Sequence, residues 1–170
     1  NLLAIVHVYF VKRKHRRNTA LFEVCDNVFL NCRNLLARIN NKHYRVSMTG
    51  IDLKPDVIDY CSRAARELGF DGLSFVCGDI RAYVTDIRPQ LVISLHACDI
   101  ATDIVLEKAI AWQTDVILST PCCHHELNHT LDCPELVSIA EHSMLRQKLC
   151  DAATDAMRLL LLQSRGYAVS

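Results

Sequence analysis

The sequence predicts an α/β fold built on a doubly wound, mostly parallel sheet. Between residues 45 and 125, apolar segments of strand length alternate with segments of helical periodicity, the order expected of a parallel sheet with right-handed crossovers. The run 91–95 is apolar enough for a strand that is covered on both faces. Polar side chains follow each predicted strand, and ligands bind at the carboxyl edge of such sheets. We therefore expect a ligand site at one sheet edge.

Length and composition set limits on the class of protein. A chain of 170 residues with 51% hydrophobic content predicts a single domain with a substantial core. The formal net charge is zero, so no global charge draws the chain to nucleic acid or to a membrane. The basic run 12–17 is the local exception, and it is either a solvated surface turn or a patch that contacts phosphate.

The cysteines indicate a reducing compartment. There are nine, an odd number at irregular spacings, which favours the cytoplasm over a secreted disulfide framework. The apolar run 2–11 is shorter than the roughly 20 residues that span a bilayer. Its charges follow it, whereas those of a signal peptide precede the apolar core. We expect a buried strand or helix there and no membrane partner.

The elements of the first half are predicted from periodicity and turn residues. A strand is expected over 21–25, a helix over 28–39 and a strand over 45–52. Pro55 is suited to the first turn of a helix, and Gly69 is suited to its end. A strand over 73–77 then ends at Gly78.

The second half continues the alternation. Strands are expected over 91–95 and 116–118, with a helix over 103–112 between them. Pro134 opens a helical stretch. A long helix over 145–165, ended by Gly166, precedes a strand beginning at 167–169. The expected apolar face of the long helix consists of Leu149, Ala152, Ala153, Ala156, Leu159 and Leu160.

Two aspartates follow strands in positions suited to a nucleoside. Asp52 could accept hydrogen bonds from both hydroxyls of a ribose, or it could cap the helix that follows. Asp79 could accept the exocyclic amine of an adenine with Ile80 against the ring, or it could be an ordinary turn residue.

The segment LHACDIATD adds groups that could handle protons. His96, directly after a buried strand, could orient a substrate or move a proton, and a core histidine bound to backbone is the alternative. Asp99 or Thr102 could simply cap the next helix.

The segment PCCHHELNHTLDC is rich in metal-ligand types. Adjacent Cys122 and Cys123 do not suit one tetrahedral ion, and no CxxC spacing is present. We therefore expect no metal and favour a substrate-facing loop, although the cysteines could also be small buried hydrophobes.

GIDLKPDVIDYC, CGDI, LVISLHACDIATD and ILSTPCCHHELN, in this order and spacing, resemble a family of class I S-adenosylmethionine-dependent methyltransferases. The LHACD…ATD and PCCHHEL segments are the specific part of the likeness, which covers about residues 45–169. The cysteine–histidine segment is also distantly similar to tRNA ribose methylases. Residues 1–44 match poorly.

The resemblance implies methyl transfer from S-adenosyl-L-methionine, with RNA as an expected acceptor and a seven-stranded sheet cut short at both ends of the chain. It leaves the oligomeric state open. Of the site residues it implies, Asp52 binds the ribose, Asp79 and Ile80 bind the adenine, and Leu53 and Glu23 are further cofactor-binding residues. His96 binds cofactor and acts in catalysis with Asp99, and Pro121, Cys122, Cys123, His124 and His125 lie on the substrate side.

The chain departs from the family at the first strand. The family has a glycine-rich loop there, but no glycine precedes Gly50, and Glu23 is the best match for an acid near the strand end. This favours a second hypothesis, a catalytically degenerate domain that acts as a scaffold or interaction module. The sequence contains no GxGxxG motif, which counts against an NAD-type oxidoreductase. A redox or zinc module built on the cysteines is the remaining alternative.

Overall fold

The structure, a computed structural model, describes residues 19–24, 46–95, 97, 99–121 and 124–169. The apolar run 2–11, the basic run 12–17 and the expected helix 28–39 lie outside the described residues.

Five parallel strands form one sheet with the order β3-β2-β1-β4-β5. Their bounds are β1 Thr19–Val24, β2 Val46–Asp52, β3 Leu73–Cys77, β4 Leu91–Leu95 and β5 Val116–Thr120. The predicted α/β class and the parallel sheet are confirmed. β5 runs two residues further than the sequence pattern indicated.

The first strand lies at the centre of the sheet. β1 begins two residues before the predicted start and pairs with both β2 and β4. Glu23 stands opposite Gly50 on one side and Ile93 on the other. The part of the sequence with the weakest pattern therefore supplies the strand around which the sheet is ordered.

The helices connect the strands and follow the last one. Their bounds are α1 Pro55–Glu67, α2 Ile100–Ala111, α3 Glu126–Thr130, α4 Val137–Ala140, which follows a 3-10 turn at Pro134–Leu136, and α5 Ser143–Ser164. Pro55 opens α1 as predicted. Gly69 and Gly166, with φ of +70° and +84°, end α1 and α5 as predicted, because a left-handed residue lets the next N–H reach back to the helix.

The main core lies between β4, β5 and the helices α2 and α5. Val92 and Ile93 of β4 point to opposite faces of the sheet and are 0% and 5% exposed, so this strand is covered on both faces as predicted. The core cluster consists of Ile51, Ile80, Val92, Val105, Leu106, Ala109, Ile117 and Leu162.

The strand predicted at 167–169 is not formed. The N–H of Tyr167 donates to the Leu162 carbonyl and so completes the end of α5, and its hydroxyl donates to the Thr114 carbonyl at 2.8 Å. These bonds hold the segment across the start of β5. Over the part of the chain that the structure describes, no helix is both long and apolar enough to cross a membrane.

Candidate functional site

The ends of the parallel strands bring the candidate residues to one edge of the sheet. β1 pairs with β2 on one side and with β4 on the other, so the strand order changes direction between β1 and β4. Val24, the last residue of β1, stands opposite Ile51 and Ser94. Ligands of doubly wound sheets bind at this crevice, outside the carboxyl ends of the strands.

Asp52 is the last residue of β2, beside this crevice. Its Oδ1 accepts a hydrogen bond from the Lys54 N–H at 2.8 Å, forming a local turn. Lys54 itself is the N-cap of α1, so Asp52 does not occupy the capping position that the sequence left open. Its Oδ2 makes no hydrogen bond to any described residue and is free to accept one from a ligand. The neighbouring Leu53 is 69% exposed.

Asp79 follows β3 and is held by its own neighbour. Its Oδ1 accepts from the Arg81 N–H at 2.8 Å, and its Oδ2 accepts from the Arg81 guanidinium through Nε at 2.8 Å and through Nη2. The hydrogen bond from the Arg81 side chain lowers the pKa of Asp79 below its ordinary value. Ile80 is buried in the main core.

Asp99 joins the loops that follow β4 and β5. Its Oδ2 accepts from the His125 N–H at 3.2 Å, and its Oδ1 accepts from the Glu126 N–H at 3.1 Å, at the start of α3. It is the N-cap of α2 by position, but its side chain does not cap that helix. The Thr102 hydroxyl instead donates to the Ala97 carbonyl.

The two adjacent histidines after β5 differ in environment. His124 is 6% exposed, and its Nε2 lies 2.9 Å from Asp155 Oδ1 on α5. Its Nδ1 lies 3.6 Å from Asp151 Oδ1. His125 is exposed, and Pro121 is half-buried. The post-β5 segment is therefore attached to α5 through one histidine and leaves the other accessible.

The comparison with protein families decides what kind of domain this is. A family described as a methyltransferase domain matches residues 4–130, well over half of the chain. The chain belongs to this methyltransferase-domain family. Membership confirms the recognised family and its cofactor class, S-adenosyl-L-methionine. The match includes residues before 45, which the sequence resemblance did not reach, and it ends before α4 and α5.

Several solved structures are similar to the chain, but weakly. They include coclaurine N-methyltransferase bound to N-methylheliamine and SAH (TM-score 0.45, 9% identity, 58% of this chain and 28% of that one). The [4+2]-cyclase SpnF has a TM-score of 0.47 and 13% sequence identity, over 59% of this chain and 37% of that one. An rRNA methylase from Streptococcus thermophilus has a TM-score of 0.44 and 11% sequence identity, over 56% of this chain and 55% of that one. The chain thus spans less than two thirds of each, and these similarities are too weak to indicate a substrate. No curated protein sequence matches the chain.

The structure brings several of the predicted residues of this methyltransferase domain to the same edge, and their roles stay predictions. Asp52 and Asp79 end or follow neighbouring strands, and Asp99 contacts the backbone of His125. Glu23 is placed only by the register of its strand, and His96, Cys122 and Cys123 lie outside the described residues. Within the described ranges, no group of three or more His, Cys, Asp or Glu side chains could hold a metal ion.

The polar face of α5 is a feature that the sequence pattern did not predict. Leu160 of the predicted apolar face is 65% exposed, whereas Arg158 is buried together with Cys150 and Leu162. The face of α5 that contains Arg158 packs against the protein because its polar side chains have hydrogen-bond partners on the neighbouring loops. The spacing of four, four and three residues in Gln147, Asp151, Asp155 and Arg158 was the available signal, since it places four hydrogen-bonding side chains along one side of a helix.

Proposed function

We propose that this methyltransferase domain binds S-adenosyl-L-methionine at the carboxyl edge of the sheet and transfers its methyl group to an RNA acceptor. The observation that carries the proposal is the position of Asp52, whose Oδ2 makes no hydrogen bond to a described residue at the edge where β1 separates β2 from β4. A carboxylate in that place suits the two hydroxyls of a ribose.

The residues at the edge fit the cofactor. Asp52 would hold the ribose, and Asp79, whose Oδ1 accepts only one hydrogen bond from Arg81, retains a lone pair that would accept the adenine amine. Exposed Leu53 offers apolar surface beside the ribose acid. When bound, the cofactor supplies an electrophilic sulfonium methyl group. The task of the protein is then to bind, to exclude water and to align the acceptor, and positioning of this kind supplies much of the rate.

RNA is proposed as the acceptor class because the cysteine–histidine segment is similar to that of tRNA ribose methylases. This segment follows β5, and its backbone is attached to the post-β4 loop through Asp99. A post-β4 and a post-β5 loop joined in this way would form one wall of the acceptor side. His125, whose side chain is exposed, could contact RNA from this wall.

A degenerate domain that serves as a scaffold is the second candidate. The observation in its favour is that residues 25–45, which connect β1 to β2, contain no glycine. Glycine lets a backbone approach a ligand closely, and side chains in its place would occupy that space.

Calorimetric titration of S-adenosyl-L-methionine into this chain separates the two candidates. We expect saturable one-to-one binding that Asp52→Ala weakens at least about tenfold, because charge-assisted hydrogen bonds to the ribose are lost. The matched control is Asp59→Ala, which removes an exposed carboxylate of α1. The absence of binding would favour the scaffold, and an affinity unchanged by Asp52→Ala would refute the ribose assignment.

The acceptor class needs its own experiment. The chain is incubated with S-adenosyl-L-methionine carrying a tritiated methyl group and, in parallel, with unmodified transcribed tRNA or with a protein mixture. Label in the RNA that disappears with Asp52→Ala supports the proposal. Label in protein alone would leave methyl transfer in place and refute RNA as the acceptor.

A further inference from the structure

One side of α5 carries a row of polar residues that the methyl-transfer proposal does not use. Gln147, Asp151, Asp155 and Arg158 follow one another at intervals of four, four and three residues, and we call them the polar stripe. Each is half-buried or buried, although α5 has exposed positions on its other sides. The stripe therefore faces protein and has partners there.

The N-terminal part of the stripe holds the segment after β5. Gln147 Nε2 donates to the His124 carbonyl at 3.0 Å and to Asp151 Oδ1 at 2.7 Å. Its Oε1 accepts from the Asn128 side chain. Next to the stripe, Arg146 Nη2 donates to the carbonyls of Asn128 and Leu131, both at 2.7 Å, and so satisfies the end of α3. The segment 124–131 is thus bound to α5 at both of its ends.

The C-terminal part of the stripe holds the segment after β4. Arg158 binds the Asp103 carboxylate with two hydrogen bonds, from Nε at 2.6 Å and from Nη2 at 3.1 Å. Nη2 also donates to the Asp99 carbonyl at 3.0 Å. Asp99 in turn binds the backbone of His125, so each loop is held by α5 and by the other loop.

Stability alone does not account for a buried guanidinium in this place. The Arg158 side chain is 8% exposed, and its Nη1 has no hydrogen-bond partner among the described residues, although Asp155 Oδ1 lies 3.7 Å away. Desolvation of a buried ion pair largely offsets its attraction, so an apolar residue of similar volume would stabilise the fold about as well. What an apolar residue could not do is set the distance and direction of two loops through directed hydrogen bonds.

We propose that Asp155 and Arg158 are positioning residues, which hold the loops after β4 and β5 together so that the acceptor meets the methyl donor in line. This inference rests on the proposed methyl transfer. Asp155 acts through His124, which it binds at Nε2, and Arg158 acts through the backbone of Asp99. His124 has a carboxylate near each ring nitrogen, so it is the anchor of the loop and not a group that contacts the acceptor.

The positioning claim is tested on the chain without any substrate. Amide hydrogen exchange of peptides covering 121–131 is measured for the wild type, for Asp155→Asn and for the control Asp59→Asn, an exposed carboxylate on α1. We expect Asp155→Asn to raise exchange in this segment about tenfold or more, because its link to α5 is weakened, with no change in the peptides of β2 and α1. Exchange equal to that of the control would overturn the proposal.

Asp155 should act on the loop through its contact with His124. His124→Asn alone and combined with Asp155→Asn completes a double-mutant cycle, and the two changes should be strongly non-additive in exchange. Additive effects would mean that Asp155 does not act through His124. Arg158→Lys keeps the charge but not the forked guanidinium, so it should raise exchange in peptides around 97–103. Arg165→Lys, just after the same helix, is the control and should not.

Turnover with tritiated donor and transcribed tRNA tests the catalytic consequence. For Asp155→Asn we expect kcat to fall at least about tenfold while the Kd for S-adenosyl-L-methionine stays within about twofold, since alignment and not cofactor binding is disturbed. A parallel loss of cofactor affinity would overturn the assignment. If the wild type transfers no methyl group, the proposed function fails, and the exchange measurements still decide whether the polar stripe holds the loops.

Discussion

The two halves of the sheet edge are held together in different ways. On the side of β2 and β3, Asp52 and Asp79 make their contacts two residues away in the sequence, to Lys54 and Arg81. On the side of β4 and β5, the contacts join residues far apart in the chain, such as Arg158 to Asp103. On the first side the two carboxylates close local turns, and one backbone bond, from the Gly78 N–H to the Asp52 carbonyl at 2.9 Å, joins the two loops. The second side is a network of side chains that needs three segments in place.

This contrast bears on how each half can change. A turn closed by its own residues forms whenever its strand ends correctly, so a substitution there affects ligand contacts and little else. A network of buried polar groups is costly when it is partly satisfied, and loss of one member is felt by the others. We therefore expect large stability effects on the β4–β5 side and small ones on the β2–β3 side.

The largest effect is expected at the pair of Asp103 and Arg158. The side chain of Arg158 is 8% exposed and that of Asp103 is 53% exposed, so the pair is asymmetric. Asp103→Ala leaves a buried guanidinium with reduced pairing and should cost about 3 kcal/mol of unfolding free energy. Arg158→Met leaves only an accessible carboxylate and should cost less. Urea unfolding of both variants measures which of them loses more unfolding free energy.

Glu107→Ala is the matched control for that order, since Glu107 is an exposed carboxylate on the same helix. It should change the unfolding free energy by less than about 0.5 kcal/mol. If Arg158→Met proved more destabilising than Asp103→Ala, the cost of leaving a buried guanidinium unpaired would not control the stability of this pair. The contrast between the two halves would then lose its energetic basis.

An intermediate effect is expected at Asp99, where the backbone has φ of +56° and ψ of −130°. This conformation is unfavourable for a residue with a side chain. The hydrogen bonds that the Asp99 carboxylate accepts from the His125 and Glu126 N–H groups offset its cost. Asp99→Ala loses those bonds and keeps the strain, while Asp99→Gly loses the bonds and relieves the strain. Thermal unfolding should therefore show Ala as the more destabilising change, by about 1 kcal/mol.

The usual order elsewhere in a protein is the opposite, because glycine loses more backbone entropy on folding than alanine. The matched control is the same pair of changes at Glu107, within α2, where Gly should be the worse replacement by about 1 kcal/mol. If Ala and Gly followed that order at Asp99 too, the loop after β4 would not be strained.

The same contrast explains what the sequence could reveal. Pro55, Gly69 and Gly166 were interpretable because their roles depend on neighbours in the sequence. Arg158 was not, because its partners lie 55 and 59 residues away and only the folded chain brings them together. The polar stripe was visible as a spacing, but an apolar periodicity one residue away on the same helix competed with it. β1 was the weakest of the strand predictions because few turn residues in the sequence mark where it begins and ends.

The smallest effect is expected at Arg81, on the side of the local turns. Its hydrogen bond lowers the pKa of Asp79, so Arg81→Gln should raise that pKa toward the ordinary value of about 3.9, as measured by NMR titration of the carboxyl. A lowered pKa in the folded state stabilises the fold at pH values above the ordinary one, and this contribution is lost as the pH falls through the lowered pKa. Wild type and Arg81→Gln should thus differ slightly at neutral pH and converge in acid, whereas Arg63→Gln, which removes an exposed guanidinium from α1, should leave the Asp79 titration unchanged. An unchanged titration in Arg81→Gln would mean that the guanidinium does not stabilise the ionised Asp79 carboxylate.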